Sequence, residues 1–163
     1  SPPERVHRMR IERVDLYWVR LPLIYPWRTA YGEDWDVHSV LVRLEGGGQW
    51  AWGETTPLQA PTYSAEFAAG VFTVLRDHFV PRVLGQELET AADLSRRLAL
   101  FTGNQFAKAG LETAWWVLEA KRQGLPHTSR AERIRRLRQP GLPRRPGSCG
   151  RLVLWHRQKP GRW

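Results

Sequence analysis

The sequence has a single cysteine, Cys149, so it cannot form a disulfide within the chain. This favours a reducing compartment, and we expect a cytoplasmic protein. No apolar run approaches the roughly 20 residues that span a bilayer, and the opening residues SPPERVHR lack the apolar core of a signal peptide. A strand-like pattern begins directly at Met9, which is the single methionine. Residues 1–8 are therefore predicted to be an extension upstream of a natural start.

Acidic residues are scarce at the end of the chain. Residues 127–163 hold 11 Lys or Arg and one acid, Glu132, whereas residues 1–126 hold 14 Lys or Arg and 15 acids. The formal net charge of +9 therefore belongs to the tail, and the body is close to neutral. Consequently the overall charge does not indicate what the body does.

The first half of the body has the composition of strands. Residues 9–23 are enriched in β-branched and aromatic side chains, which favours a strand. Residues 37–45 and 49–54 are two further strand-like runs, separated by three glycines, and this arrangement predicts a hairpin. The aromatic-rich stretch 24–36 is predicted to be a loop. Together these segments predict an antiparallel meander.

After Pro61 the spacing of apolar residues becomes helical. A first helix is predicted from Ser64, as its N-cap, to Gly85, with an interruption at Pro81. A second helix opens with Thr90 and Asp93 at the spacing of a capping box.

The strongest helical pattern runs over residues 104–124, with Asn104 as N-cap and Gly124 just past the C-terminus. Its predicted apolar face consists of Ala107, Leu111, Ala114, Trp115 and Leu118. Three strands followed by three helices predict an α+β domain over residues 9–126, with the helices on one face of the antiparallel meander and an irregular basic tail behind it.

The tail at 127–163 is rich in Arg, Pro and Gly and has no periodicity. One interpretation is a disordered basic arm that binds nucleic acid non-specifically. The other, which we favour, is translation of a GC-rich gene in the wrong frame. The codons of Trp155 and His156 are TGG and CAY, so reading them one nucleotide later gives GGC, a glycine codon. Synonymous codons for residues 151–160 then yield Ser-Ser-Phe-Gly-Ile-Asp-Arg-Ser-Pro, a peptide without the arginine excess.

Four stretches of the body resemble one known family. They are MRIERVDLYWVRLPL, PWRTAYG, WGETTPLQAPTYSAE and GNQFAKAGLETAWWVLEAKRQG, and they cover residues 9–126 almost without gaps. In this order they resemble the N-terminal capping domain of the enolase superfamily, in the branch of o-succinylbenzoate synthases and N-acylamino acid racemases. Dipeptide epimerases and muconate cycloisomerases are alternative relatives.

The resemblance implies an enzyme that abstracts the proton next to a carboxylate. It also implies a barrel domain, whose three carboxylates hold Mg²⁺ and whose lysines act as acid and base. Residues 127–163 offer one carboxylate and one lysine, Lys159, so the chain as written is expected to be catalytically inactive, with no catalytic or metal-binding residue of its own. The resemblance leaves dehydration and racemisation both open, and it suggests association into homo-oligomers.

For the capping domain, the resemblance implies two loops that close over the acyl part of a carboxylate substrate. By position, Trp27 and Tyr31 in the first loop and Leu58 in the second are expected to contact substrate. Thr29 and Tyr63 are expected to shape these loops. His38 is interpreted as a solvated or capping histidine, and Glu54 as a structural hydrogen-bond partner.

Overall fold

The structure is a computed structural model that describes residues 8–124 and the backbone of residues 154–158. Its main sheet contains β2 (Arg13–Thr29), β3 (Gly32–Gly46) and β4 (Gln49–Thr55), which pair antiparallel in sequence order. The turn between β3 and β4 has Gly47 and Gly48 at φ of 59° and 75°, as a tight hairpin turn requires. The short strand β1 (Met9–Arg10) pairs with β5 (Glu87–Leu88) in a separate ladder. The predicted meander is confirmed.

The predicted loop at 24–36 is wrong, because β2 and β3 continue through it as one long hairpin. The pairing shifts register between Pro22, which faces Asp36, and Trp27, which faces Asp34. Pro22 and Pro26 have no backbone N–H to donate to a ladder, so the regular pattern breaks there and resumes toward the hairpin tip. The tip therefore projects past the sheet as a bulged two-stranded ribbon.

The first helical segment has three parts: α1 (Ala68–Val74), a π-helical turn (Leu75–Phe79) and α2 (Val80–Val83). Pro81 lies in the first turn of α2, so the π-helical turn precedes the residue that was predicted to interrupt the helix. Gly85, at φ of 75°, ends the segment as predicted. The expected cap at Ser64 is wrong: its hydroxyl accepts a hydrogen bond from Glu66 N at 3.2 Å, and the helix begins later, after Phe67.

The other two helices match the predictions closely. The helix α3 (Ala91–Leu98) begins with the capping box of Thr90 and Asp93, and α4 (Gln105–Arg122) ends before Gly124 at φ of 65°. The α+β fold class is therefore confirmed, with the helices packed on one face of the three-stranded sheet. The predicted apolar face of α4 is buried throughout: Ala107, Leu111, Ala114, Trp115 and Leu118.

The helix α4 packs against β3 and β4 at very short range. A Cβ atom on Gly53 would lie 2.0 Å from Gly110 O and 2.6 Å from Ala114 N. No side chain fits such a space, so glycine at position 53 lets the helix backbone lie directly on the strand. The buried side chains of β2 and β3, which include Val14, Leu16, Val40, Val42 and Leu44, complete this core.

A fourth strand, β6 (Leu154–Gln158), pairs antiparallel with the outer edge of β2, with Val14 facing Gln158 and Trp18 facing Leu154. The sequence analysis assigned no strand to the tail. Residues 1–7, 125–153 and 159–163 lie outside the described residues, as does most of what was predicted for the tail and the N-terminal extension. Among the described helices, none combines the length and apolar character needed to cross a bilayer.

We predict that Gly53→Ala lowers the free energy of unfolding by about 2–3 kcal/mol, because the new methyl group overlaps the α4 backbone. Gly110→Ala is the matched control. Its Cβ would lie 3.1 Å from the terminal Cγ2 of Thr55, and the helix gains about 1 kcal/mol from alanine, so we expect a net change below about 1 kcal/mol. Urea denaturation measures both. Equal losses for the two variants would contradict the close contact at Gly53.

Candidate functional site

A cavity of about 380 Å³ lies between the projecting hairpin of β2 and β3, the segment 56–67 that follows β4, and the start of α4. Apolar and aromatic side chains form most of its wall, and a few polar groups interrupt them. Such a wall suits the hydrocarbon part of a small ligand. Its lining residues are Trp27, Thr29, Tyr31, Asp36, Val37, His38, Thr56, Pro57, Leu58, Tyr63, Ser64 and Phe106.

The hairpin tip owes its shape to Thr29 and Gly32. The Thr29 hydroxyl donates to Gly32 O at 3.3 Å and accepts from Tyr31 N at 3.2 Å. Gly32 has φ of 133°, a backbone conformation that side chains disfavour. These bonds fix the turn that carries Tyr31, and Trp27 lies on the adjoining strand. The geometric role expected for Thr29 agrees with these contacts.

Hydrogen bonds to two helices hold the segment 56–67 at Leu58 and at Glu66. The carbonyl oxygen of Leu58 accepts a hydrogen bond from Ala68 N, at the start of α1, at 2.9 Å. Farther along the segment, the Glu66 carboxylate accepts from Gln105 N and Phe106 N, both at 2.9 Å. These hydrogen bonds fix the segment to α1 and α4, and they thereby fix its position beside the cavity.

Glu66 replaces the expected capping residue of α4. Asn104 does occupy the N-cap position, but it has a left-handed backbone, with φ of 56°, and its side chain makes no capping bond. The Glu66 carboxylate satisfies two of the free N–H groups of the helix and places a negative charge at the positive end of its dipole. The same contact positions Phe106, which lines the cavity.

Tyr31 and Tyr63 close the outer side of the cavity. Their rings meet edge to face, with centroids 5.8 Å apart, a geometry that aromatic pairs favour. Tyr31 comes from the hairpin and Tyr63 from the segment 56–67, so this contact joins the two halves of the wall. Both rings remain largely exposed, and a ligand in the cavity would cover more of their surface.

The interpretation of His38 as a solvated or capping histidine is wrong. His38 is 6% exposed and lines the cavity. Its Nδ1 accepts a hydrogen bond from the Trp18 indole nitrogen at 2.9 Å. Burial lowers the pKa of His38, an effect that the nearby Arg20 reinforces and that Asp36 partly opposes.

The five residues expected at the site, Trp27, Thr29, Tyr31, Leu58 and Tyr63, all line this one cavity. Whether they contact a substrate stays a prediction.

Three further lining residues, Asp36, His38 and Phe106, were not expected from the sequence. His38, Val40 and Val42 are alternate residues of β3 and so point to the same, buried face of the sheet. This spacing indicated that His38 would be buried. Glu54 accepts a hydrogen bond from the Ser39 hydroxyl at 2.6 Å, in line with its expected structural role.

Acidic, histidine and cysteine side chains do not form a metal-binding group of three or more in the part of the chain that the structure describes. At the cavity, the candidate ligands are Asp36 and His38, and Asp36 is already paired with Arg20 at 2.6 Å. These residues do not fit the carboxylate site for Mg²⁺ that the family resemblance implies.

Comparison with known families gives a match over most of the body. Residues 13–129 match the family described as mandelate racemase / muconate lactonizing enzyme, N-terminal domain. An N-succinylamino acid racemase of Thermus thermophilus is 40% identical over 118 residues, which are 72% of this chain and 32% of that protein. An o-succinylbenzoate synthase of Bacillus subtilis is 30% identical over 118 residues, with the same coverage of 72% and 32%.

Solved structures agree with these relatives. The muconate lactonizing enzyme of Pseudomonas fluorescens, complexed with muconolactone, superposes with a TM-score of 0.68 at 29% identity over 72% of this chain and 32% of its own. The N-succinyl Arg/Lys racemase of Bacillus cereus gives 0.64 at 26% identity over 70% and 31%. The chain spans about a third of the length of the curated relatives it matches.

We predict that acid destabilises this domain partly through His38. The pKa of His38 is lowered in the folded state. At a pH below about 6.5, the ordinary pKa of histidine, His38 is therefore protonated in more of the unfolded chains than of the folded chains. The free energy of unfolding then falls as the pH drops from about 6.5 toward the lower folded-state pKa, at a rate of up to about 1.4 kcal/mol per pH unit.

The control for this prediction is His38→Asn, whose side-chain oxygen can still accept from Trp18 but does not titrate. Denaturation at pH 7.5 and 5.5 should show a smaller loss for this variant than for the original chain. Equal losses would mean that His38 does not contribute.

Proposed function

Because this chain belongs to the mandelate racemase / muconate lactonizing enzyme family through the N-terminal domain at residues 13–129, we propose that its folded body is the substrate-specificity lid of an enzyme of the racemase and o-succinylbenzoate synthase branch. The family membership confirms the resemblance seen in the four sequence motifs. The reaction we propose for the complete enzyme is removal of the proton next to a carboxylate, with racemisation or dehydration as its outcome.

One observation carries the proposal: the five residues chosen by their position in the family motifs line one cavity. Two of its walls come from separate segments of the chain, with Tyr31 and Leu58 27 positions apart, and the contact between Tyr31 and Tyr63 joins them. A wall of this composition binds the acyl group of a substrate by burying its carbon atoms. It contributes water exclusion and selectivity, and it leaves the proton transfer to other groups.

The chemistry itself requires residues beyond this lid. The chain corresponds to about 32% of the length of the racemase and synthase relatives. The polar groups around the cavity are hydroxyls, one histidine with a lowered pKa and one carboxylate paired with arginine. We therefore propose that this chain alone binds the acyl group but does not turn it over.

The test is an NMR titration of the chain with N-succinyl-L-phenylalanine, which measures the dissociation constant of this probe. We expect Trp27→Ala to weaken binding about tenfold, because a large apolar contact is lost. Trp35→Ala is the matched control: Trp35 is on the same hairpin and is 57% exposed against 54% for Trp27, but it does not line the cavity, so we expect a change below about twofold. Equal effects, or turnover of the probe by this chain with Mg²⁺, would contradict the proposal.

We also propose that the tail at 127–163 is read out of frame. The excess of arginine begins after residue 126, and the similarity to the longer racemase and synthase relatives covers 118 residues, which are 72% of the chain. The gene sequence across codons 120–135 tests this: the shifted frame should continue into a barrel sequence with a Lys-x-Lys strand and three spaced acidic residues. If it does not, a genuine basic arm is the better interpretation, and DNA binding that weakens steeply with salt would support it.

A further inference from the structure

The aromatic residues that line the cavity differ in how firmly their rings are held. Trp27, Tyr31 and Tyr63 form an outer rim, and each is more than half exposed. Phe106 is partly buried, lines the cavity and also packs against the hydrophobic core. Its ring therefore stands between the core and the space that a ligand would enter, with the core supporting it from behind.

The backbone that carries Phe106 is fixed by two sets of contacts. The Glu66 carboxylate accepts hydrogen bonds from Gln105 N and Phe106 N, both at 2.9 Å. Farther along the same helix, Gly53 lets β4 lie directly against the α4 backbone. The ring cannot retreat by a shift of the helix, because such a shift would break or compress these contacts. Phe106 is thus a rigid boundary of the cavity, whereas the exposed rim can adjust to the width of a ligand.

The function proposed for the lid determines which end of a ligand would reach Phe106. Proton transfer is left to groups outside the cavity, so the reacting carbon of the substrate lies beyond the rim and the acyl chain extends inward. An acyl chain that is too long then meets the Phe106 ring. Because close-packed groups resist the insertion of even one extra methylene, this contact limits the length of the acyl chain.

We propose that Phe106 is a specificity-determining residue of this site, and that its ring sets the longest acyl chain that the cavity accepts. This inference rests on the proposed function. It names a property of the substrate that the function leaves open, namely the length of the acyl group, whichever chemical group ends it.

A series of N-acyl-L-phenylalanines with unbranched acyl chains from acetyl to octanoyl tests the proposal. NMR titration of the original polypeptide gives the dissociation constant for each probe. Each methylene that becomes buried should raise the affinity about fourfold. We expect this rise to stop at the length at which the end of the acyl chain meets Phe106, and that length is the limit to be compared between variants.

Two variants separate the ring of Phe106 from the general packing of the core. Phe106→Ala removes the boundary, so the rise in affinity should continue for about two further carbons. Phe101→Ala is the matched control. Phe101 is also partly buried and packs against the same core, with its ring 5.1 Å from that of Phe79, but it does not line the cavity. Its loss should lower the stability and leave the limit unchanged.

The outcomes distinguish this inference from the lid function. If the affinity of the original polypeptide rises without a limit, or if Phe106→Ala and Phe101→Ala have the same limit, the role of Phe106 is overturned and the lid function stands. If the folded polypeptide binds none of the probes, both proposals fail. Should Phe106→Ala not fold, Phe106→Leu decides, because its smaller apolar side chain should lengthen the limit by about one carbon; an unchanged limit would overturn the role of Phe106.

Discussion

The close approach of α4 to β4 is the constraint on which the remaining structure depends. Gly53 brings the strand within direct contact of the helix backbone at Gly110 and Ala114, so the helix cannot slide or rotate without a clash. Its first turn is thereby fixed relative to the sheet, and with it Phe106. The Glu66 carboxylate bonds to that same turn, so the segment that carries Leu58 and Tyr63 takes its position from the helix.

Local signals in the sequence predicted much of this fold. The capping box of Thr90 and Asp93, the glycine turn between β3 and β4, and the buried face of α4 depend on neighbouring residues, and the structure confirms them. The failures share a different cause. Glu66 caps a helix that begins 39 residues later, and no spacing rule relates a capping residue to a helix that far along the chain. The π-helical turn Leu75–Phe79 lies directly before the turn that contains Pro81, and the apolar spacing of the segment did not indicate it.

The five expected residues all line the cavity, but the prediction of the site was incomplete, because it missed Asp36, His38 and Phe106. Position within family motifs located Trp27, Tyr31 and Leu58. The composition of residues 24–36, in contrast, predicted a loop, whereas β2 and β3 continue through this stretch with a shift of register between Pro22 and Trp27. His38 was interpreted as a solvated or capping residue beside a strand, whereas its parity on β3 places it inward with Val40. Local inconsistencies of this kind, a polar residue at an inward position, are expected at functional or strained sites.

The wall of the cavity is mainly apolar, and this composition sets a limit on how sharply the domain can discriminate ligands. An apolar wall distinguishes acyl groups by a methylene or so, which corresponds to roughly 10–200-fold. Because such a wall moves no proton, the lid function proposed for this domain concerns ligand preference, and the proton transfer is left to groups outside the cavity. The walls meet where Tyr31 of the hairpin contacts Tyr63 of the segment 56–67, so the size of the acyl group that fits depends on how the hairpin and this segment are held relative to each other.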